Sequence, residues 1–220
     1  KKLIYSCQVG VSAFVGEISS GVITVTFNMI ILNLAGNTGV AAYGVVANTS
    51  LVAVALFNGI AQGSQPLISR SYGRGEEQNV RSLLKMALTT ALGLGVLLMI
   101  FIFFSAPAVT AVFNSEHDLQ LAAYADSGLR LYFIGFLFAG INIVGTAALS
   151  AVESVKYAFC ASISRGFVAT IFFAFVLSAC FKMTGIWLAF PAAEFATMFI
   201  TLSGLLCFTK QKGGMYHAKD

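Results

Sequence analysis

The sequence predicts an all-α membrane protein, a bundle of six transmembrane helices. Its 220 residues are 58% hydrophobic and only 10% charged, and the mean hydropathy is +0.85, whereas a soluble domain carries roughly 25% charged residues. The apolar residues come in long runs, and an α-helix needs about 20 of them to cross a hydrocarbon core of about 30 Å. A soluble domain is therefore excluded. The net charge of +4 is attributed to membrane-flanking segments rather than to a nucleic-acid surface.

Six apolar runs are long enough to span a membrane. Turn-like or polar segments separate them, at Ala35–Gly39 after the first run, Arg70–Lys85 after the second and Asn114–Asp118 after the third. Residues 1–209 are predicted to form one six-helix unit, and residues 210–220 a polar cytoplasmic tail. The predicted spans are 8–33, 41–68, 86–113, 121–151, 157–181 and 184–208.

The distribution of Lys and Arg predicts the orientation in the membrane. Most of these residues lie in the segment Arg70–Lys85, near Lys156 and at the two ends of the chain, with Arg165 close to the same side. The opposite side carries Lys182 and the acidic loop Glu116–Asp118. Because positively charged connections remain on the cytoplasmic side, both termini are expected to be cytoplasmic.

Two acidic residues lie deep within predicted spans. At 1.5 Å per residue, Glu17 lies about 14 Å along the first span from its cytoplasmic end, and Glu194 a similar distance along the last span from its outer end. An ionised group at membrane depth costs at least about 2.5–3.5 kcal/mol, which makes both residues candidates for ion coupling. Either carboxylate can exchange a proton or hold Na⁺, and either can instead tie two helices together. The supporting polar candidates are Ser20, Asn142 and Gln62.

Pro191 lies one turn before Glu194 in the last span. Its ring removes a backbone N–H and leaves the carbonyl of Trp187 without its helical partner. A free carbonyl one turn from a carboxylate is compatible with a cation site, although proline kinks are common in membrane helices.

Other features of the spans predict contacts within the bundle rather than chemistry. Gly59 and Gly63 have the Gly-x-x-x-Gly spacing that lets two membrane helices approach closely. Asp126 and Arg130 stand four residues apart near the outer end of the fourth span, where a local ion pair is expected.

Motifs of several enzyme classes are absent from the sequence. It contains no Gly-x-x-x-x-Gly-Lys-Ser/Thr loop for nucleotide phosphates, no His-Glu-x-x-His zinc motif and no Gly-x-Ser-x-Gly nucleophile turn. A non-enzymatic protein without a cofactor is therefore predicted, and an ion gradient is its expected energy source.

One stretch resembles a family signature. Residues 59–73 read Gly-Ile-Ala-Gln-Gly-Ser-Gln-Pro-Leu-Ile-Ser-Arg-Ser-Tyr-Gly and run from the second span into the basic segment. This stretch resembles the signature of the multidrug and toxic compound extrusion (MATE) family, and residues 37–44 and 185–191 fit the same pattern. The resemblance covers nearly the whole chain and suits the C-terminal six-helix lobe best. The signature residues are Gly59, Gln62, Gly63, Gln65, Pro66, Tyr72 and Gly73.

The resemblance implies a transporter of two pseudo-symmetric six-helix lobes around a cavity that opens alternately to either side of the membrane. Such proteins export cationic, amphipathic drugs in exchange for H⁺ or Na⁺. The implied partners are the N-terminal lobe, cationic drugs and membrane lipid, without nucleic acid, and the implied location is the inner membrane. Glu17 matches the functional Glu that Na⁺-coupled members carry in the first helix of this lobe, so Na⁺ at Glu17 is one implied site. Those members also carry an Asp in the fourth helix of the lobe. The corresponding position in this sequence falls near Ala139 and has no Asp, and Asn142 lies about one turn away.

Other functions remain open at this stage. A flippase for lipids or lipid-linked oligosaccharides belongs to the same superfamily, but flippases tend to carry several Arg or Lys residues inside the cavity, and few lie at depth here. A membrane-embedded enzyme needs paired catalytic groups, for which only the two deep carboxylates are available, and a non-transporting membrane subunit is also compatible. The chain opens Lys1-Lys2 without Met, as expected of a fragment. The substrate, the coupling ion and the oligomeric state are left undetermined.

The predicted orientation can be tested by labelling single cysteines from outside the cell, in a background without the native cysteines. Ser115→Cys should react with an impermeant thiol reagent and Ser82→Cys should not, because the positive charges around Ser82 keep that segment cytoplasmic. The reverse labelling pattern would overturn the orientation.

Overall fold

A computed structural model shows a helical bundle. It describes the backbone of residues 2–216 and the side chains of residues 21–154 and 156–209. Within that backbone no strand occurs, which confirms the all-α fold. The elements are α1 Lys2–Gly73, α2 Glu77–Phe113, α3 Leu119–Phe133, α4 Phe136–Ala151, α5 Val155–Ile163, a π-helical turn Ser164–Val168, and α6 Ala169–Tyr216.

The two longest helices each contain one non-helical residue. In α1 it is Gly36, with φ 64° and ψ −159°, and in α6 it is Lys182, with φ 52° and ψ −127°. Gly36 adopts the positive φ freely because it has no Cβ. Beyond Lys182 the two parts of α6 pack backbone to backbone, since a Cβ at Gly185 would overlap the carbonyl oxygen of Leu177. Both breaks lie between spans that the hydropathy separates.

Within the residues whose side chains are described, three helical stretches, Gly21–Gly73, Glu77–Phe113 and Lys156–Thr209, are long and apolar enough to cross a membrane. The pair α3 and α4, bent by 47°, makes a fourth if it is taken as one broken span. The number of six spans therefore stays a prediction. The breaks at Gly36 and Lys182 lie where the hydropathy divides each of the two longest helices into two predicted spans.

Helix boundaries differ from the predicted spans in three places. The basic segment Arg70–Lys85 is helical except at residues 74–76, because residues 77–85 are mostly good helix formers that hydropathy does not detect. The predicted span 121–151 is bent at Ile134 and Gly135, and the predicted span 157–181 contains the π-helical turn.

Helix α4 is at the centre of the bundle. Ten of its 16 residues are buried, and it packs against α1, α2 and α6. On one side, the ring of Phe136 stacks on Phe57 of α1 with centroids 6.0 Å apart. Large apolar side chains on the surrounding helices are instead exposed, as lipid contact requires: Leu97, Phe101, Phe104, Phe172 and Phe175. Any polar side chain on the inner face of α4 is thus removed from both lipid and water.

The expected role of Gly59 and Gly63 in helix packing was wrong for this chain. Both glycines are exposed, and a Cβ at either would meet open space. The close approaches occur at other glycines, including Gly95 of α2, because the spacing of two glycines does not specify which face of a helix meets a neighbour.

The packing of α2 on α4 predicts a specific sensitivity at Gly95. A Cβ there would lie 2.9 Å from the carbonyl oxygen of Phe136 and 3.3 Å from Cα of Leu137, and backbone cannot move aside as a side chain can. Gly95→Ala should lower the free energy of unfolding by about 1–3 kcal/mol. Gly93→Ala, on the same helix but facing open space, should raise it by up to about 1 kcal/mol. Unfolding in detergent can be followed by the fluorescence of Trp187, the only tryptophan, and equal effects of the two variants would contradict this packing.

Candidate functional site: a buried polar cluster around Glu194

Glu194 lies in the second part of α6 and faces the interior of the bundle. It is only 2% exposed, between the buried Pro191 and the fully buried Thr197 of the same helix. A carboxylate removed from water must be matched by a cation or by hydrogen-bond donors, because its desolvation is otherwise too costly. The partners of Glu194 come from two other elements.

The first partner is Arg165, in the π-helical turn. Its Nε lies 2.5 Å from Oε1 of Glu194, and its side chain is 29% exposed. The turn brings one extra residue into the helix, as π-helical turns at functional sites commonly do. The hydroxyl of Thr170 donates to the carbonyl oxygen of Arg165 at 2.6 Å, which stabilises the backbone of the turn. The result is an ion pair between a buried acid and a half-buried base.

The second partner is Asn142 of α4, which is fully buried. Its Nδ2 donates to the backbone carbonyl and to Oε2 of Glu194, both at 2.8 Å. Its Oδ1 accepts a hydrogen bond from the Thr201 hydroxyl at 2.9 Å. Asn142 therefore orients the Glu194 carboxylate from the side opposite Arg165, and Thr201 orients Asn142.

A further contact joins the same elements. The hydroxyls of Ser164 and Thr197 are 3.1 Å apart, so the π-helical turn is held to α6 at two points. We define the polar cluster as Asn142, Ser164, Arg165, Glu194, Thr197 and Thr201.

The charges of the polar cluster balance, but not all of its hydrogen-bond donors have a partner. Glu194 and Arg165 carry opposite charges, and Asn142 uses both its donor and its acceptor. Among the residues whose side chains are described, however, none accepts a hydrogen bond from the terminal amino groups of Arg165, which has bonds to Glu194 alone. The guanidinium therefore keeps donor capacity for a further partner. In the same described part, no group of three or more His, Cys, Asp or Glu residues could hold a metal ion.

Comparison with known proteins identifies the family. The MatE family model matches residues 13–176. This chain belongs to the MATE family. No curated protein sequence shows a significant match to it.

Solved MATE structures have the same fold. The inward-facing conformation of a multidrug resistance MATE family transporter of the MOP superfamily superposes with a TM-score of 0.87 at 17% identity, over 94% of this chain and 48% of that one. For the outward-facing conformation of such a transporter, the TM-score is 0.84 at 16% identity, over 93% of this chain and 46% of that one. A MOP superfamily transporter from Pyrococcus furiosus, described as having a binding pocket of reverse polarity, superposes with a TM-score of 0.78 at 17% identity, over 92% of this chain and 45% of that one. The chain spans less than half the length of these MATE-like structures, as one lobe of two would.

The structure brings together two of the predicted site residues of this MATE chain. Glu194 and Asn142 are in direct contact, whereas Gln62 is exposed on α1 and is not part of the polar cluster. Glu17 and Ser20 lie outside the residues whose side chains are described. Among the family-signature residues, the ring of Tyr72 packs near Phe208 at 6.0 Å, Gln65 is half-buried, and Gly59, Gly63, Pro66 and Gly73 are exposed.

The contact of Arg165 with Glu194 was not predicted from the sequence, which only indicated that Arg165 lies close to the cytoplasmic side. One signal was available, because Arg165 is eight residues inside the predicted span 157–181, about 12 Å along a helix. Ser164, Thr197 and Thr201 gave no comparable signal, since hydroxyl residues are common in membrane helices. The ion pair Asp126–Arg130, in contrast, is confirmed, with Nη2 of Arg130 3.1 Å from Oδ2 of Asp126.

The ion pair predicts a strong dependence of stability on Arg165. Arg165→Met leaves the buried Glu194 carboxylate without its cation and should lower the free energy of unfolding by about 3–5 kcal/mol. Combining it with Glu194→Gln should restore part of that loss, because a neutral amide needs no counter-charge. Lys85→Met, which removes an exposed cation, should change stability by less than about 0.5 kcal/mol. Additive effects of Arg165→Met and Glu194→Gln in detergent unfolding would show that the two side chains do not interact.

Proposed function

We propose that this chain forms the C-terminal lobe of a secondary active transporter of the inner membrane, which exports cationic or amphipathic drugs in antiport with H⁺ or Na⁺. One observation carries the proposal: a MATE chain holds a buried ion pair, Glu194 with Arg165, at the meeting point of three helical elements. Multidrug export is the usual role of this family, and the solved structures of similar fold include multidrug resistance transporters.

Membrane-buried charge supports transport on physical grounds. An ionisable residue at membrane depth is costly, and it is found mainly where ions, protons or substrates pass. The Glu194 carboxylate accepts hydrogen bonds from Asn142 of α4 and from Arg165 of the π-helical turn. A change in the charge of the carboxylate would therefore alter both attachments together, which is how a local event moves whole helices.

We assign the coupling of ion and drug to Glu17, with Glu194 as the second carboxylate. The family resemblance places Glu17 at the position of a functional Glu, and hydroxyl residues follow it on the next turns. Glu194 already has a cation and an amide as partners, so a tethering contribution accompanies any coupling role. The coupling ion binds and leaves in each cycle and is thus a transported species rather than a resident cofactor.

An exposed polar face on α1 supports a second lobe. Asn48, Asn58 and Gln62 are exposed along this apolar helix, and polar side chains at membrane depth face protein or a water-filled cavity rather than lipid. We therefore propose that an N-terminal lobe faces them across a central cavity. From the distribution of Lys and Arg, we also propose that both ends of this chain are cytoplasmic.

A second candidate function is the translocation of anionic lipids or lipid-linked saccharides. The observation in its favour is Arg165, which lies deep in the lobe and keeps its terminal amino groups available within the described part of the chain. The Pyrococcus furiosus protein of similar fold has a pocket of reverse polarity for which a different function is suggested. If anionic substrates are moved, Arg165→Gln should reduce their translocation more than ethidium efflux. A non-transporting subunit would support neither reaction.

The coupling assignment can be tested in proteoliposomes containing the transporter with both lobes. Under an imposed pH or Na⁺ gradient, Glu17→Gln should abolish ethidium efflux while drug binding persists, because the amide cannot exchange the coupling ion. Glu194→Gln should reduce efflux less, since the amide oxygen can still accept a hydrogen bond from one of the two donors, Asn142 or Arg165. Glu116→Gln, which neutralises an exposed loop acid, is the matched control and should be silent.

Two results would contradict the assignment. Full gradient-driven efflux by Glu17→Gln would exclude Glu17 as the coupling residue, and equal loss of folding and efflux would indicate a helix-tethering role. Absence of gradient-driven efflux by the intact transporter, for every cationic drug tried, would count against drug antiport itself.

A further inference from the structure

An open cavity lies between the first turns of α2 and the part of α6 near Thr209, at the end of the bundle that carries the basic segment. Its volume is about 350 Å³, within the range of about 300–1,000 Å³ that is usual for ligand sites. No residue of the polar cluster lines it. The lining residues are Arg81, Leu84, Lys85, Leu88 and Thr89 of α2 and Thr209 of α6.

Two exposed cations line this cavity. Arg81 and Lys85 lie four residues apart, so their side chains are neighbours on one face of α2. Among the described residues, neither cation has a carboxylate within ion-pair distance, and Glu77, one turn before Arg81, does not line the cavity. Like charges at this spacing repel each other, so an anion placed between the two cations would be attracted by both.

Arg81 is held toward the cavity by a contact with α6. Its Nη2 donates to the backbone carbonyl oxygen of Thr209 at 3.2 Å. This bond uses one of the five N–H groups of the guanidinium, and within the described part of the chain Arg81 makes no other hydrogen bond. The remaining donors are exposed and can reach a ligand in the cavity.

Thr89 adds a hydroxyl one turn after Lys85 on the same face. Thr89 is exposed, and its hydroxyl has no hydrogen bond to any described residue. The hydroxyl of the adjacent Thr90, in contrast, donates to the carbonyl oxygen of Met86 at 2.9 Å. Lipid tails offer no hydrogen-bond acceptor to a hydroxyl, so the Thr89 hydroxyl is suited to an acceptor bound in the cavity.

The floor of the cavity is apolar and joins α2 to α6. Leu84 belongs to the same buried cluster as Leu205 of α6, and Leu88 packs against that cluster. The groove between the two helices is therefore formed by the packing of the bundle and does not require a ligand.

The face of α2 that lines the cavity changes from charged to apolar along the helix. The two cations precede the predicted span 86–113, and Thr89 lies one turn inside it. At the same helical spacing the face continues with Leu92 and Val96, which are 45% and 39% exposed. A ligand that fits this order has an anionic group at the membrane surface, an acceptor just below it and an apolar part further inside.

We infer that the groove between α2 and α6 binds a phospholipid with a net negative charge. The phosphate accepts hydrogen bonds from Arg81 and Lys85, the Thr89 hydroxyl donates to an ester oxygen, and the acyl chains lie along Leu92 and Val96. An anionic headgroup is favoured over a zwitterionic one, because two cations and no acid line the cavity. Basic pockets between transmembrane helices are a known form of lipid site. The proposal concerns lipid binding alone and does not depend on the exported substrate.

The test titrates the full chain in detergent with phosphatidylglycerol or phosphatidylcholine and counts the bound lipids by native mass spectrometry. One phosphatidylglycerol should bind at least about tenfold more tightly than phosphatidylcholine. Lys85→Gln and Arg81→Gln should each weaken its binding about fivefold, the usual contribution of one cation near an anionic lipid surface. Arg70→Gln, which removes an exposed cation outside the cavity, should leave the affinity unchanged.

A second pair of variants tests the hydroxyl. Thr89→Val keeps the shape of the side chain and should weaken the binding of phosphatidylglycerol about threefold, as the loss of one hydrogen bond does. Thr90→Val, whose hydroxyl is satisfied within its own helix, should not change the affinity.

Competition distinguishes the lipid from a soluble phosphate compound. sn-Glycerol 3-phosphate at millimolar concentration should not displace phosphatidylglycerol, because it lacks the acyl chains that cover the apolar face; displacement would overturn the assignment to a lipid. Equal affinities for the two lipids, or wild-type affinity in Lys85→Gln, would also overturn the inference. So would an equal loss in Arg70→Gln, which would indicate a diffuse basic surface. If Arg81→Gln unfolds because its bond to α6 is lost, Lys85→Gln still decides.

Discussion

The bundle depends on one requirement, the satisfaction of the Glu194 carboxylate where no water can reach it. A buried acid left alone would destabilise the chain by several kcal/mol, about the whole stability margin of a domain. Arg165 and Asn142 meet the requirement from different elements, one on each oxygen of the carboxylate. The positions of α4 and the π-helical turn relative to α6 are thereby specified together, because hydrogen bonds are directional in a way that apolar contacts in lipid are not.

The irregular features of the helices can be understood from this requirement. A regular α-helix through residues 164–168 would turn a different face toward the part of α6 that follows Lys182, and the extra residue of the π-helical turn shifts that face. Near the other end of α4, the bend after Phe133 lets the ring of Phe190 pack beside Gly135, where any Cβ would collide with it. Phe190 in turn stacks on Tyr132 with centroids 4.2 Å apart.

Two polar regions of the chain are built on different principles. In the polar cluster, opposite charges are in contact and both carboxylate oxygens of Glu194 accept hydrogen bonds, while the terminal amino groups of Arg165 keep donor capacity. Near the α2–α3 connection, the buried hydroxyl of Thr110 and one carboxylate oxygen of Asp126 have no hydrogen-bond partner among the described residues. The exposed amides of α1 are a third case, since their partners are expected from another lobe rather than from a ligand.

The amino-acid sequence by itself determined the class of the protein, its all-helical content, its family and two candidate members of the polar cluster, Glu194 and Asn142. These properties are local: apolar run length, residue composition and a continuous signature at residues 59–73 can be recognised without knowing which helices touch. The bend at Gly135 and the π-helical turn leave no hydropathy signal, because they change backbone geometry and not polarity. Only the tertiary structure decided that Arg165 meets Glu194, 29 residues away, and that Asn142 meets it from 52 residues away. Such pairings depend on the rotation of each helix about its axis, and that rotation is set by the packing of all the helices at once.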